Sequence, residues 1–80
     1  MDSKGQLMKT ELEILKIIGE NIKRYRVQKC MQIKDLANLT GIRKEYIARI
    51  EKGLAVGIKT SQIFKISQAL NIPAHKLVEY

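Results

Sequence analysis

Residues that build disulfide frameworks, metal centres and catalytic pairs are scarce in this chain of 80 residues. It has one cysteine, Cys30, one histidine, His75, and no tryptophan. One cysteine excludes an internal disulfide framework and a cysteine-based zinc cage. A catalytic Cys30–His75 pair stays open as an alternative, because separation along the sequence does not exclude it, but a semi-buried structural thiol is favoured. We therefore expect no enzymatic activity, no catalytic residue, no metal site and no cofactor.

Long apolar runs are also missing, and so are flexible linkers. No run approaches the ~20 apolar residues of a membrane-spanning helix. Residues 1–5 lead into no uncharged stretch of the kind that a secretory signal needs. With 45% hydrophobic residues and a single proline, the composition predicts one folded domain without a membrane segment.

Positive charge is concentrated in the middle of the chain. Lys and Arg number 15 against 8 acidic residues, which gives a net charge of +7. Residues 21–59 hold ten of these basic residues and three acids, whereas residues 1–20 hold three Lys and four acids. A segment of this charge attracts polyanions, with nucleic acid as the first candidate and an anionic membrane surface as the second.

The spacing of apolar residues is helical along most of the chain, and no segment alternates like a β-strand. Thr10 and Glu13 fit a capping box at the start of a first helix. Five residues form one apolar stripe on this helix: Leu12, Leu15, Ile18, Ile22 and Tyr25. The pattern predicts either one helix over residues 11–29 or two helices broken at Gly19, a residue that costs roughly 1 kcal/mol relative to alanine.

Four more helices are predicted at about residues 32–39, 43–52, 60–70 and 73–79. Gly53 is expected to end the third helix, and Thr60 or Ser61 to cap the fourth. Pro73 suits the first turn of the last. The predicted fold is all-α: a compact five-helix domain over residues 18–80, preceded by an N-terminal extension over residues 1–17 that is helical from residue 11.

A sharp corner is predicted between the second and third helices. Helices that cross at a steep angle through a short turn need a small residue at their contact and a residue tolerant of positive φ in the turn. Ala37 and Gly41 supply these properties, and Ile47 and Ile50 anchor the third helix. The polar residues left on the third helix are Arg43, Lys44, Glu45, Tyr46, Arg49 and Lys52. A helix with this face suits insertion into the major groove of DNA.

Four motifs occur in a fixed order: Ile18-Gly19-x-x-Ile22-x-x-Tyr25-Arg26, Leu36-Ala37-x-x-x-Gly41-Ile42, Tyr46-Ile47-x-x-Ile50-Glu51-x-Gly53 and Ile66-x-x-Ala69-Leu70-x-Ile72. Through them the sequence resembles the lambda-repressor-like family of helix-turn-helix DNA-binding domains, of the Xre/Cro type, over about residues 18–78. Within the family it is most similar to sporulation-inhibitor repressor DNA-binding domains and to restriction–modification controller proteins.

The resemblance implies a role in DNA binding for eight residues. Lys44, Glu45 and Arg49 match positions that face base edges, with Arg43 at the leading end of the helix. Such side chains can donate to guanine or accept from cytosine, which predicts a G·C-containing half-site. Tyr46 is expected on a phosphate or a thymine methyl group. Phosphate contacts are expected from Gln32, Lys52 and Lys59.

The resemblance also implies a buried ion pair between Arg26 and Glu51, and it shows three departures. Ile33 stands where the family often has glutamine at the first position of the second helix. Cys30 replaces the usual glycine after the first helix, so that turn is expected to carry a positive φ or another shape. Gly57-Ile58 stands where a proline usually precedes the fourth helix.

The function implied is that of a sequence-specific transcriptional regulator that binds double-stranded DNA, places the third helix in the major groove and acts as a repressor. A homodimer in the cytoplasm, associated with the nucleoid, is expected, and no effector domain is expected after residue 80. Candidate dimer surfaces are the N-terminal extension and a C-terminal set of Ile72, Leu77, Val78 and Tyr80. The alternative is an antitoxin-like or adaptor module that binds another protein through residues 1–17.

Overall fold

The computed structural model describes residues 3–79, with side chains from residue 10 onward. Within that range the chain forms four α-helices and a C-terminal 3₁₀ helix, with no β-strand. Their bounds are α1 Ser3–Gln28, α2 Ile33–Thr40, α3 Lys44–Glu51, α4 Thr60–Leu70 and the 3₁₀ helix Ala74–Val78. The all-α prediction is confirmed, and the fifth predicted helix is this single 3₁₀ helix. No helix in the described range has the length and apolar character needed to cross a bilayer.

Helix α1 starts earlier than predicted and continues through Gly19. The prediction of a capping box at Thr10 is wrong, because the helix begins at Ser3 and Thr10 lies in its interior. Gly19 is buried against the end of α3, where an added Cβ would meet the carbonyl oxygens of Ile50 and Glu51. This close approach of two helices requires a glycine, and the packing it permits offsets the helix-propensity cost of about 1 kcal/mol.

Of the two forms expected for the turn after α1, a positive φ at Cys30 or another shape, the turn has the first. Cys30 has φ 57°, and its N–H donates to the Val27 carbonyl at 2.9 Å. The Met31 N–H donates to the Arg26 carbonyl at 3.0 Å. These two bonds form a Schellman motif, in which the left-handed position is normally glycine. Cysteine occupies it here as an exposed residue, so the prediction of a semi-buried thiol is wrong: the turn points the side chain into solvent.

The corner between α2 and α3 is built around Gly41. Gly41 has φ 75°, and its N–H donates to the Ala37 carbonyl at 2.8 Å. The Thr40 hydroxyl donates to the Leu36 carbonyl at 2.8 Å and accepts from the Ile42 N–H at 3.1 Å. The corner therefore satisfies its own backbone groups, which fixes the direction in which α3 leaves it.

The core draws buried apolar side chains from every helix, including Ile22, Leu36, Ile47, Ile66 and Leu77. Each contributes about 1.5–3 kcal/mol by leaving water. Two expectations fail here. Leu77, expected on a dimer surface, is 0% exposed in the core, and Leu12, a member of the predicted apolar stripe of the first helix, is 51% exposed.

Of the other C-terminal candidates for a dimer surface, Ile72 is half-buried and Val78 is exposed. Tyr80 lies outside the described residues. The Asn21 amide ties this C-terminal segment to α1 by donating to the carbonyls of Leu77 and Glu79 at 2.8 and 2.7 Å.

Candidate nucleic-acid interface

Helix α3 lies on the surface with one face buried and the opposite face in solvent. Ile47 and Ile50 are buried, whereas Lys44, Glu45 and Arg49 are exposed. At 3.6 residues per turn the exposed positions fall within an arc of about 140°. Sequence reasoning missed Ala48, which lies in that arc between the charged residues and is half-buried. Its small side chain leaves the middle of the face open to a close approach.

A buried ion pair holds the far end of α3 against α1. Arg26 Nε donates to Glu51 Oε2 at 2.6 Å, and Arg26 Nη2 donates to Glu51 Oε1 at 3.0 Å. Arg26 Nη1 also donates to the Met31 carbonyl at 2.8 Å. The two side chains are 11% and 6% exposed. The hydrogen bonds from Arg26 to Glu51 raise the pKa of the Arg26 guanidinium above its ordinary value, against the opposing effect of burial. Both oxygens of the Glu51 carboxylate are therefore already bonded to Arg26 inside the protein.

The end of α3 is fixed by Gly53, as predicted from the sequence. Gly53 has φ 75°, and its N–H donates to the Ile50 carbonyl at 3.0 Å. The Leu54 N–H donates to the Arg49 carbonyl at 3.0 Å, which completes a second Schellman motif. An added Cβ at Gly53 would also lie 2.9 Å from the Lys16 Cα. Both the backbone conformation and the packing against α1 therefore require glycine here.

A groove of about 540 Å³ separates α3 from α4. Four of the predicted DNA-binding residues line it together: Arg43, Glu45, Tyr46 and Arg49. The turn contributes Gly41 and Ile42, and α4 contributes Gln62 and Lys65. Gln62 and Lys65 escaped sequence reasoning, because no local signal shows which face of α4 lies beside α3.

The other four predicted DNA-binding residues are exposed but lie outside this groove: Gln32, Lys44, Lys52 and Lys59. Gln32 caps α2, and its N–H donates to the Asp35 carboxylate at 2.8 Å. That backbone N–H is therefore occupied within the protein.

Helix α4 is capped by Lys59, so the prediction of Thr60 or Ser61 as its cap is wrong. The Lys59 N–H donates to Gln62 Oε1 at 3.1 Å. This bond gives the backbone N–H of the N-cap residue an acceptor. The exposed Lys59 ammonium remains available to a ligand.

The exposed cationic side chains of α3 have no acidic partner within the described part of the chain. The ion pairs within 4.0 Å there are Arg26–Glu51, His75–Glu79 and Lys76–Glu79, and none involves an exposed residue of α3. Arg49 Nη2 reaches the Leu54 carbonyl only at 3.4 Å. The surface thus presents charged donors in solvent, the arrangement that attracts a polyanion. The same part of the chain holds no group of three His, Cys, Asp or Glu residues able to bind a metal ion.

Comparison with known proteins places this geometry in a family. A family model described as a helix-turn-helix domain matches residues 19–79. The chain belongs to the helix-turn-helix domain family. The match includes the α2–α3 corner, α4 and the 3₁₀ helix, and it leaves out the N-terminal half of α1. Membership of this family agrees with the sequence resemblance to lambda-repressor-like domains.

Two transcriptional regulators are similar to this helix-turn-helix chain in sequence. The HTH-type transcriptional regulator SinR of Bacillus subtilis (strain 168) is 32% identical over 63 residues, which are 79% of this chain and 57% of that protein. SinR of Bacillus licheniformis is 32% identical over 62 residues, or 78% and 56% of the two chains. The helix-turn-helix chain thus spans little more than half the length of these curated relatives.

A solved structure is similar in fold. The restriction-modification controller protein C.AhdI from Aeromonas hydrophila superposes with a TM-score of 0.74 at 27% identity. The likeness covers 79% of this helix-turn-helix chain and 94% of the controller protein. Controller proteins of this kind are one of the two groups that the sequence motifs resemble.

Proposed function

We propose that this helix-turn-helix chain is a sequence-specific transcriptional regulator that binds double-stranded DNA with α3 in the major groove and acts as a repressor. The observation that carries the proposal is the exposed face of α3, whose cations have no acidic partner within the described chain. A single α-helix fits the major groove, where each base pair presents a distinct pattern of donors and acceptors. The regulators among its relatives support this assignment.

Base reading is assigned to the exposed side chains of α3. Lys44 and Arg49 can donate to guanine O6 and N7, and Glu45 can accept from the amino group of cytosine. Glu45 also repels phosphate, which disfavours docking in a wrong register. Tyr46 is half-buried at the edge of the groove, where its hydroxyl group can reach a phosphate or its ring a thymine methyl group. A G·C-containing half-site is expected.

Phosphate binding is assigned to residues around α3, which position the helix without reading sequence. Arg43 is the N-cap of α3 and Lys52 its C-cap, and Lys59 is the N-cap of α4. The side-chain amide of Gln32 completes the set at the start of α2.

A homodimer is proposed as the binding species. Two copies would read two half-sites one helical turn apart, about 34–36 Å. Linking two weak contacts raises the affinity well above that of one domain. Residues 18–80 are proposed as the DNA-binding domain and residues 1–17 as its extension. The proposed site of action is the nucleoid in the cytoplasm, because the proposed ligand, double-stranded DNA, lies there.

The experiment that tests the function is binding to random-sequence duplex DNA across a salt series. A DNA-binding protein loses affinity steeply, with a slope of log K against log salt near −0.9 for each phosphate contacted. A slope near zero would contradict the proposal.

The base-reading assignment is tested with Arg49→Ala and a matched control, Lys59→Ala. Arg49→Ala is expected to relax the preference at one base position by about 1–3 kcal/mol, whereas Lys59→Ala weakens all sequences alike. A selection of bound fragments from a random library measures both effects. An unchanged preferred site in the Arg49→Ala variant would show that this arginine does not read bases.

A second candidate function, binding of a protein partner, is favoured by one observation. An apolar groove of about 310 Å³ lies where α1 meets the loop before α4, lined mainly by Ile14, Leu15, Ile18, Val56 and Ile58. Ile14 is 42% exposed and Val56 is 75% exposed. Under this alternative, DNA affinity shows a flat salt response, and Val56→Lys abolishes partner binding without changing stability.

A further inference from the structure

The groove between α3 and α4 brings four of the predicted DNA-binding residues together. One wall carries Arg43, Glu45 and Arg49, and the other carries Gln62 and Lys65 of α4. With three cations and one carboxylate, the walls have a net charge of +2. A DNA strand that passes along the edge of α3 therefore runs between two helices and is attracted by both.

Lys65 is the only charged residue in α4. It is exposed, whereas Ile66 and Leu70 of the same helix are buried. No ion pair within 4.0 Å involves Lys65 in the described range. Lys65 is thus a single cation on an otherwise neutral helix, and it lines a groove that holds two of the three predicted base-reading residues, Glu45 and Arg49.

On the α4 wall of the groove, Lys65 is the hydrogen-bond donor with a flexible side chain. Gln62 Oε1 accepts from the Lys59 N–H at 3.1 Å, so its side chain is held at the start of the helix. On the opposite wall the Glu45 carboxylate repels phosphate. Lys65 has a flexible four-carbon stem and a compact charge, which suits binding of a phosphate as a point charge.

We propose that Lys65 binds a backbone phosphate, so that the DNA interface extends from α3 across the groove onto α4. This inference rests on the proposed DNA-binding function. The role of Lys65 is to position the duplex and not to read its sequence, because phosphate contacts carry no base information.

The test compares Lys65→Ala with Lys76→Ala as a matched control. Lys76 lies on the 3₁₀ helix, where it pairs with Glu79 at 3.8 Å, and its removal changes the net charge by the same amount. Affinity for the preferred duplex and for random duplex is measured between 50 and 200 mM salt. A thermal melt of each variant checks the fold, which substitution of an exposed lysine should leave unchanged.

For Lys65→Ala, the slope of log K against log salt is expected to be less steep by about 0.9. Between the two salt concentrations this variant therefore loses about 3.5-fold less affinity than the unmodified chain. The reduction in affinity is the same for both duplexes, Lys65→Arg restores the slope, and Lys76→Ala keeps it.

Two results would overturn the proposal. One is a Lys65→Ala slope equal to that of Lys76→Ala while Lys59→Ala lowers it, which refutes the α4 contact and leaves the α3 function intact. The other is a changed base preference with an unchanged slope, which assigns Lys65 to base reading. A flat slope for the unmodified chain would instead reject DNA binding as a whole.

Discussion

The substitution Glu51→Ala is expected to destabilise the fold strongly although Glu51 lies next to the exposed face of α3. It leaves the Arg26 guanidinium, whose side chain is 11% exposed, with the Met31 carbonyl as its remaining protein acceptor. Breaking a buried pair by removing one partner costs about 3–5 kcal/mol, because the other charge stays buried without compensation. Since a small domain has about 5–15 kcal/mol of stability in total, this loss is a large part of it.

Urea unfolding monitored by circular dichroism measures the effect, with Glu45→Ala as the matched control. Glu45 is an exposed glutamate on the same helix, so its removal should change the free energy of unfolding by less than about 0.5 kcal/mol. The double variant Arg26→Met, Glu51→Leu should recover much of the loss, because it buries no charge. A loss below about 1 kcal/mol for Glu51→Ala would refute the reasoning.

The stability that Arg26 contributes through this ion pair depends on pH in a defined direction. Its hydrogen bonds to Glu51 raise the pKa of Arg26 above the ordinary value. A raised pKa in the folded state adds stability that is fully present below the ordinary pKa and is lost only as pH rises through the raised one. Rising pH therefore leaves the charge of Arg26 in place until it reaches that raised pKa, and the stability that comes from the raised pKa is lost only there.

Two further predictions concern glycine positions. Gly19→Ala should destabilise the fold by about 1–3 kcal/mol, because the new Cβ would press on the backbone carbonyls that end α3; a melting temperature equal to or above that of the unmodified chain would contradict this. Cys30→Gly should raise stability by about 0.5–1 kcal/mol, since φ 57° strains a cysteine and its exposed side chain loses little packing. A fall in the urea midpoint of that variant would contradict the assigned strain.

Local chemistry made much of the fold predictable. The bounds of α2, α3 and α4 were expected within a residue or two because turn residues mark them. Gly41 and Gly53 adopt the left-handed conformation that ends the helices before them. The family pattern left a positive φ at Cys30 as one of two expected forms of that turn, and the resemblance implied the Arg26–Glu51 pair.

Contacts between segments distant in sequence were not predictable in the same way. The residues next to Gly19 in the sequence indicate a possible helix break there. Only the contact of Gly19 with the end of α3 explains why the helix continues. Leu77 reads as a surface residue near the C-terminus, but tertiary packing buries it. Lys65 stands alone in a neutral helix, and only the placement of α4 beside α3 brings it to the groove.

The central claim, that the exposed face of α3 enters the major groove, is tested most directly by following backbone amide resonances while a duplex with the selected half-sites is added. The account predicts that the largest shift changes fall on residues 43–52 and at the starts of α2 and α4, and that Arg49→Ala weakens them. Changes concentrated on residues 11–18 and 54–58, with α3 unaffected, would contradict it.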